Sequence, residues 1–295
     1  MSEATRVRLD LAYDGTHFAG WARQAGEQRT VQGVLEAALA TATARAGGEP
    51  PRLVVAGRTD AGVHATGQVA HVDLAPAQLA ALARRDRPPQ DVSGLALRLT
   101  GMLAARGDVV VHRATPAPDG FDARFSAVFR RYRYRIADAA VARNPLDRHR
   151  TLAVARAVDD ARIRAAAEGL LGLHDFAAYC RPRPGATTIR TLQALTWSRE
   201  PDGVLVADVR ADAFCHGMVR ALVGASIAVG LGRLPPERLA QLLDADRRSS
   251  EYATAPAHGL TLVEVGYPDD DELAAQAERA RARRLAPGAP AIRYP

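Results

Sequence analysis

The chain has 295 residues, 47% hydrophobic and 24% charged, the balance of a soluble globular protein with apolar material for one large domain or two ordinary ones. A net charge of +6 favours a polyanionic partner, no apolar run reaches the roughly 18 residues of a membrane span, and the N-terminus shows no apolar leader. Two cysteines, Cys180 and Cys215, are too few for a disulfide framework and fit a reduced, cytoplasmic setting.

Arg6–Asp14 alternates polar and apolar residues, as a half-buried strand does. A helix is predicted from about Thr30, with Val31, Val34, Leu35, Ala38 and Leu39 on one face. Strands follow at Arg52–Gly57 and Gly67–Leu74, helical material at Leu95–Ala105 and a strand at Asp108–Ala114. The second half repeats the pattern. A strand at Val128–Ile136 precedes a helix over Asp159–Leu171, and strands at Thr191–Glu200 and Gly203–Ala211 are joined by a Pro-Asp-Gly turn. A long apolar helix over Gly217–Gly230, a shorter one starting at Pro235-Pro236 and a strand at Leu260–Tyr267 complete it.

Each half therefore reads strand–helix–strand–strand–helix–strand, the split βαβ or ferredoxin-like unit. The expected class is α+β, with two such halves sharing an extended, mostly antiparallel sheet and helices packed on it. The expected division is 1–116, 117–268 and a tail over 269–295. Arg84–Gly94 is expected as a solvated insertion.

Several chemistries are excluded. A chain without lysine has no P-loop. No GxSxG occurs and no Cys/His cluster has zinc spacing, so no metal is expected; Cys180, Cys215 and His216 read as core residues. All 39 basic residues are arginine, so arginine richness alone carries no signal and its placement matters instead.

Two stretches stand out. In Ala56–His71, "AGRTDAGVHATGQVAH", glycines flank Asp60, and in an extended segment Arg58 and Asp60 point to the same side. The pair reads either as a β-turn with a surface ion pair worth under about 1 kcal/mol, or as a carboxylate kept ionised beside an anionic substrate. In Phe121–Arg135, "FDARFSAVFRRYRYR", five of the fifteen aromatic residues and five arginines fall within fifteen positions. Arg131, Arg133 and Arg135 share one strand face and Tyr132 and Tyr134 the other, a composition that grips phosphates and stacks bases, or else a core face backed by a solvated one. With Arg124 the strand arginines suggest a basic edge. Together the stretches point to a nucleic-acid enzyme using one carboxylate and no cofactor.

These residues resemble the tRNA pseudouridine synthase A (TruA) family. The Ala56–His71 loop is similar to its signature. "YDGTHFAGWARQ", "TVQGVLEAAL", "FDARFSAVFRRYRYRI", "LLGLHDFAAYC", "TIRTL", "DAFCHGMVRALVG" and "AHGLTLVEVGYP" follow in the family's order over residues 5–268. The resemblance implies the pseudouridine synthase fold, a homodimer, tRNA as partner, and isomerisation of uridine to pseudouridine at positions 38, 39 and 40 of the anticodon stem-loop. It implies Asp60 as the catalytic nucleophile, or as base in a glycal-type route, with Arg58 as the arginine paired to it. Tyr132 would stack on the uracil, Leu260 contact the base and Arg220 line the site. Phe121, Asp122, Ala123, Arg124 and Phe125 would form a tRNA-contacting loop, with Arg124 on a phosphate; Arg181–Arg190 matches a further contact segment loosely. Ser93–Asp108 departs from the family's pattern. A non-catalytic tRNA-binding or folding module on the same fold is the alternative. A hydrolase with a nucleophilic aspartate would need a second carboxylate or a metal. For His64 only a structural role is expected.

Overall fold

The computed structural model describes residues 4–82, 91–183 and 185–281. In chain order its elements are β1 (Thr5–Tyr13), α1 (Val31–Thr43), β2 (Leu53–Val55), β3 (His64–Leu74), α2 (Pro76–Leu82), α3 (Leu95–Leu103) and β4 (Val109–Pro116). Next come β5 (Phe129–Ala137), β6 (Leu152–Ala153), α4 (Asp160–Glu168), β7 (Gly172–Asp175), β8 (Ile189–Arg199) and β9 (Leu205–Ala211). The last are α5 (Met218–Gly230), α6 (Arg238–Gln241), β10 (Leu260–Gly266) and α7 (Leu273–Arg281). The expected α+β class is what the structure has, with strands that pair mostly antiparallel.

Two units emerge, Met1–Val128 with Leu262–Arg281, and Phe129–Thr261. In the first, β1 pairs antiparallel with both β3 and β4, and β2 pairs with β3, the strand order of a split βαβ unit. The alternation read in β1 is a burial pattern: Val7, Leu9, Leu11 and Tyr13 point inward and are all buried. Thr30 caps α1 by accepting the Gly33 N–H at 3.2 Å, and Val31, Leu35 and Leu39 form its fully buried stripe. Gly67 of β3 leaves room for β10, since a Cβ there would lie 2.2 Å from the Val263 carbonyl oxygen.

The described part of the expected tail is not a loose end. Ala, Leu, Gln, Glu and Arg are strong helix formers, and they make α7 with Leu273 and Ala277, one turn apart, both buried. Residues 282–295 lie outside the described residues, as do 84–90 of the expected insertion.

In the second unit β5, β9, β8 and β7 run antiparallel in that order, with β6 parallel to β5. The Pro-Asp-Gly hairpin forms as read: the Gly203 N–H donates to the Glu200 carbonyl at 2.8 Å, and Gly203 takes φ +81°. Asp159 caps α4 by accepting the Arg162 N–H. The two cysteines, expected as separate core residues, instead adjoin each other, with Cα atoms 5.8 Å apart. No helix among the described residues is long and apolar enough to cross a membrane.

Candidate active site

In the first unit the candidate carboxylate sits in the passage from β2 to β3. Asp60 to Val63 is a β-turn closed by the Val63 N–H donating to the Asp60 carbonyl at 3.2 Å. Gly62, at the third position, has φ +77°, the type II arrangement that glycine favours. The plain turn and the functional loop are thus one object. Along the approach, exposed Arg58, buried Thr59 and partly buried Asp60 alternate, so Arg58 and Asp60 do share a side.

The loop is held from behind by the segment after β1. The Trp21 N–H donates to the Thr59 carbonyl at 3.0 Å and the Gly62 N–H to the Phe18 carbonyl at 3.3 Å. Gly15 is pressed so close that a Cβ would stand 2.0 Å from the Val63 carbonyl oxygen. His64, to which the sequence assigns no chemistry, anchors this segment: its ring Nδ1 accepts the Gly15 N–H at 3.1 Å, in a buried position. Beneath Thr59 lies a buried polar network. The Tyr13 hydroxyl and Thr59 Oγ1 are 2.7 Å apart, and Gln68 Nε2 donates to both the Tyr13 oxygen at 3.2 Å and the Gly57 carbonyl at 2.9 Å. Burial pushes the Tyr13 hydroxyl up to about 12, so it stays protonated as a hydrogen-bonding group.

Sequence reading missed Tyr13, Thr59 and Gln68. The usable signal was a tyrosine and a glutamine at inward positions of alternating strands, where a buried polar tip needs a partner. Arg58 makes no hydrogen bond or ion pair among the described residues, so the pairing with Asp60 that the resemblance implies is not formed here. Its five N–H donors face outward, suited to a carboxylate or phosphate.

The Phe121–Phe125 segment of the same unit divides in two. Phe121 and Ala123 are buried. Phe121 packs 5.0 Å from the Tyr267 ring, while the Ala123 N–H donates to His71 Nδ1 and its carbonyl accepts from the Tyr267 hydroxyl. Asp122 caps the turn, its Oδ1 accepting the N–H groups of Arg124 and Phe125 at 2.8 and 2.9 Å. Arg124 alone of the five is exposed.

In the second unit Tyr132 lies on β5, opposite Val209 of β9, with only 7% exposure and its ring edge-on to Phe214 at 5.2 Å. Arg220 on α5 donates from Nε to the Ala255 carbonyl at 2.7 Å. Gly224 on the same helix makes space for Ala253, whose carbonyl oxygen would be 2.0 Å from an added Cβ. The Tyr134 hydroxyl donates to the Pro256 carbonyl at 2.8 Å. These contacts fix the 253–259 segment and with it buried Leu260 at the start of β10.

The basic edge expected from the strand does not survive. Arg131 and Arg133 both reach Asp208, each at 3.1 Å, and Arg135 is bonded to Glu200 and, at 2.9 Å, to Asp202. The arginines do alternate with buried Tyr132 and Tyr134, but carboxylates brought up by the neighbouring strand and its hairpin turn neutralise this face. No group of three or more His, Cys, Asp or Glu among the described residues is placed to hold a metal ion.

The family model described as tRNA pseudouridine synthase matches residues 11–126 and 166–268. The chain is 58% identical to the tRNA pseudouridine synthase A of Leifsonia xyli, over 96% of this chain and 98% of that protein. It is 56% identical to the tRNA pseudouridine synthase A of Frankia casuarinae, over 96% of each. With the protein of the same name from Streptomyces avermitilis it shares 51%, over 96% of this chain and 95% of that one. The chain belongs to the tRNA pseudouridine synthase family.

Proposed function

We infer that the protein isomerises uridine to pseudouridine in tRNA, at positions 38, 39 and 40 of the anticodon stem-loop, with Asp60 as its catalytic carboxylate. The observation that carries the reading is the tethered Asp60–Val63 turn, which lies within the matched region and presents Asp60 on the same side as exposed Arg58. A carboxylate on a rigid loop suits chemistry at an anomeric carbon, where position counts for more than reach.

The balance is simple, because the product is an isomer. The bond from uracil N1 to ribose C1′ breaks, the ring turns, C5 bonds to C1′, and the proton leaving C5 is matched by one gained at N1. Asp60 either attacks C1′ or removes a ribose proton to give a glycal; both routes return the carboxylate unchanged. Arg58 holds the nucleotide's phosphate, Tyr132 stacks on the uracil, Leu260 contacts the base, Arg220 lines the wall, and Arg124 takes a backbone phosphate. A flipped-out base would call for an aromatic and an apolar contact besides the carboxylate. The family resemblance also supports a cytoplasmic homodimer.

The test is tritium release from tRNA carrying [5-³H]uridine. Asp60→Asn, which keeps size and removes charge, is expected to abolish release while tRNA binding stays within a few-fold of wild type. Release at a substantial fraction of the wild-type rate would remove Asp60 from its role. Loss of binding together with release would favour a binding defect instead.

A further inference from the structure

We propose that α7 and the Asp122–Phe125 turn form one phosphate-binding surface for the tRNA backbone, with Arg281 and Arg124 as its cations. The proposal rests on the reading of the protein as a tRNA-modifying enzyme. It adds a surface in a helix that lies beyond the matched residues 11–126 and 166–268.

The first support is that the helix is docked in one place. Leu273 and Ala277 are buried, and Ser126 Oγ donates to the Leu273 carbonyl at 3.1 Å. Gly120, with φ +73°, lies so near Ala274 that a Cβ at position 120 would be 2.7 Å from the alanine methyl. The turn and the helix are therefore fitted to each other on both sides of the turn's cap.

The second support is charge. The guanidinium carbons of Arg124 and Arg281 both lie over the Phe125 ring, 5.0 and 4.9 Å from its centre. Two like charges are thus gathered on one ring, with the carboxylate of Asp122 beside Arg281. Asp122 spends Oδ1 on two backbone N–H groups and meets Arg281 Nη2 through Oδ2 at 3.4 Å. The Arg6–Asp73 pair, by contrast, is a fork with bonds of 2.7 and 2.8 Å. Arg281 is half exposed and makes no other hydrogen bond among the described residues, leaving most of its donors for a ligand. A planar fork with free donors, stacked on an aromatic ring beside a second cation, is built for phosphate oxygens.

The helix carries its own control. Arg279 is two positions from Arg281 and so on a different face, where it bonds to Gln276. Binding of tRNA to the full chain is measured over a range of salt concentrations for wild type, Arg281→Gln, Arg281→Lys and Arg279→Gln, with kcat at saturating tRNA. Arg281→Gln is expected to raise Kd about three- to tenfold and to reduce the slope of log K against log salt by about one, the signature of one lost phosphate contact. Its kcat should stay within twofold. Arg281→Lys keeps the charge and should keep the slope; Arg279→Gln should leave both Kd and slope near wild type. A wild-type slope for Arg281→Gln overturns the proposal, and so do equal effects of Arg279→Gln and Arg281→Gln, which would mean diffuse net charge. If wild type binds tRNA with the expected slopes yet forms no pseudouridine, the proposed reaction fails and the surface stands. If wild type modifies tRNA and the Arg281→Gln slope is unchanged, only the surface fails.

Discussion

The Tyr13→Phe substitution removes one oxygen from behind the Asp60 turn and leaves the ring in place. In the wild type that oxygen lies 2.7 Å from Thr59 Oγ1 and accepts from Gln68 Nε2 at 3.2 Å, with all three side chains buried. Without it, Thr59 Oγ1 and one Gln68 N–H lose these bonds in a site dry enough to push the tyrosine up to about 12. A buried polar group stripped of its partner costs about 1–3 kcal/mol, partly offset here because the phenol's own desolvation is no longer needed. The expected net loss of stability is about 1–2 kcal/mol, read as a lower urea midpoint with an unchanged m-value. The Trp21 N–H to Thr59 carbonyl bond and the Gln68 to Gly57 bond both remain. The loop should therefore loosen without leaving its place, and kcat should fall about tenfold, the equivalent of 1.4 kcal/mol, with KM within twofold. Thr59→Val breaks the same bond from the other side, so the double variant should cost about as much as either single one. Wild-type urea midpoint and kcat in Tyr13→Phe, or full additivity in the double variant, would refute the idea that this network holds the loop.

Gly15→Ala forces a methyl to within 2.0 Å of the Val63 carbonyl oxygen and should cost about 3 kcal/mol or more, whereas Gly101→Ala in α3, where an added Cβ meets nothing, should stabilise by up to about 1 kcal/mol; differential scanning calorimetry separates the two. His71 has its pKa lowered, mainly by burial and then by the nearby Arg6, with Asp122 and Asp73 opposing. Its neutral Nδ1 accepts the Ala123 N–H. The stability it gives is thus complete above its unfolded value of about 6.5 and declines as pH falls below that value. Urea midpoints at pH 7.5 and 5.5 should fall further apart in wild type than in His71→Asn, and parallel profiles would contradict this account.

What the sequence disclosed was local. The inward positions of β1 and the buried stripe of α1 follow from periodicities of two and 3.6 residues, which need no knowledge of partners. The elements it hid are short or distant. The seven residues of α2 make barely two turns, and the four of β7 are too few for an alternation to show. The charged composition of α7 reads as a tail because the surface it covers, around Gly120, lies far earlier in the chain. The site divides the same way. Arg58 and Asp60 were legible because their shared side is a property of three consecutive residues. The anchors Tyr13 and Gln68 were not, because each meets Thr59 or Gly57 only after β1 and β3 pair.

Charge shows most clearly why residue type without placement misleads. The strand arginines 131, 133 and 135 look like the strongest anionic-partner signal in the chain, yet each faces Asp208, Glu200 or Asp202. Arg6 is likewise engaged by Asp73, which holds that carboxylate below its usual range. At physiological salt a paired charge is screened within a few ångströms of its partner and contributes little to attraction at a distance. The net charge of +6 is therefore not spread over every arginine-rich face; exposed Arg58 and half-exposed Arg281 are placed to act on a polyanion. Each such cation that meets a phosphate should lower the salt slope by about one when it is removed singly. A polyanion bound by a diffuse positive field would show no such steps, so the stepwise loss is the property that separates the two modes of binding.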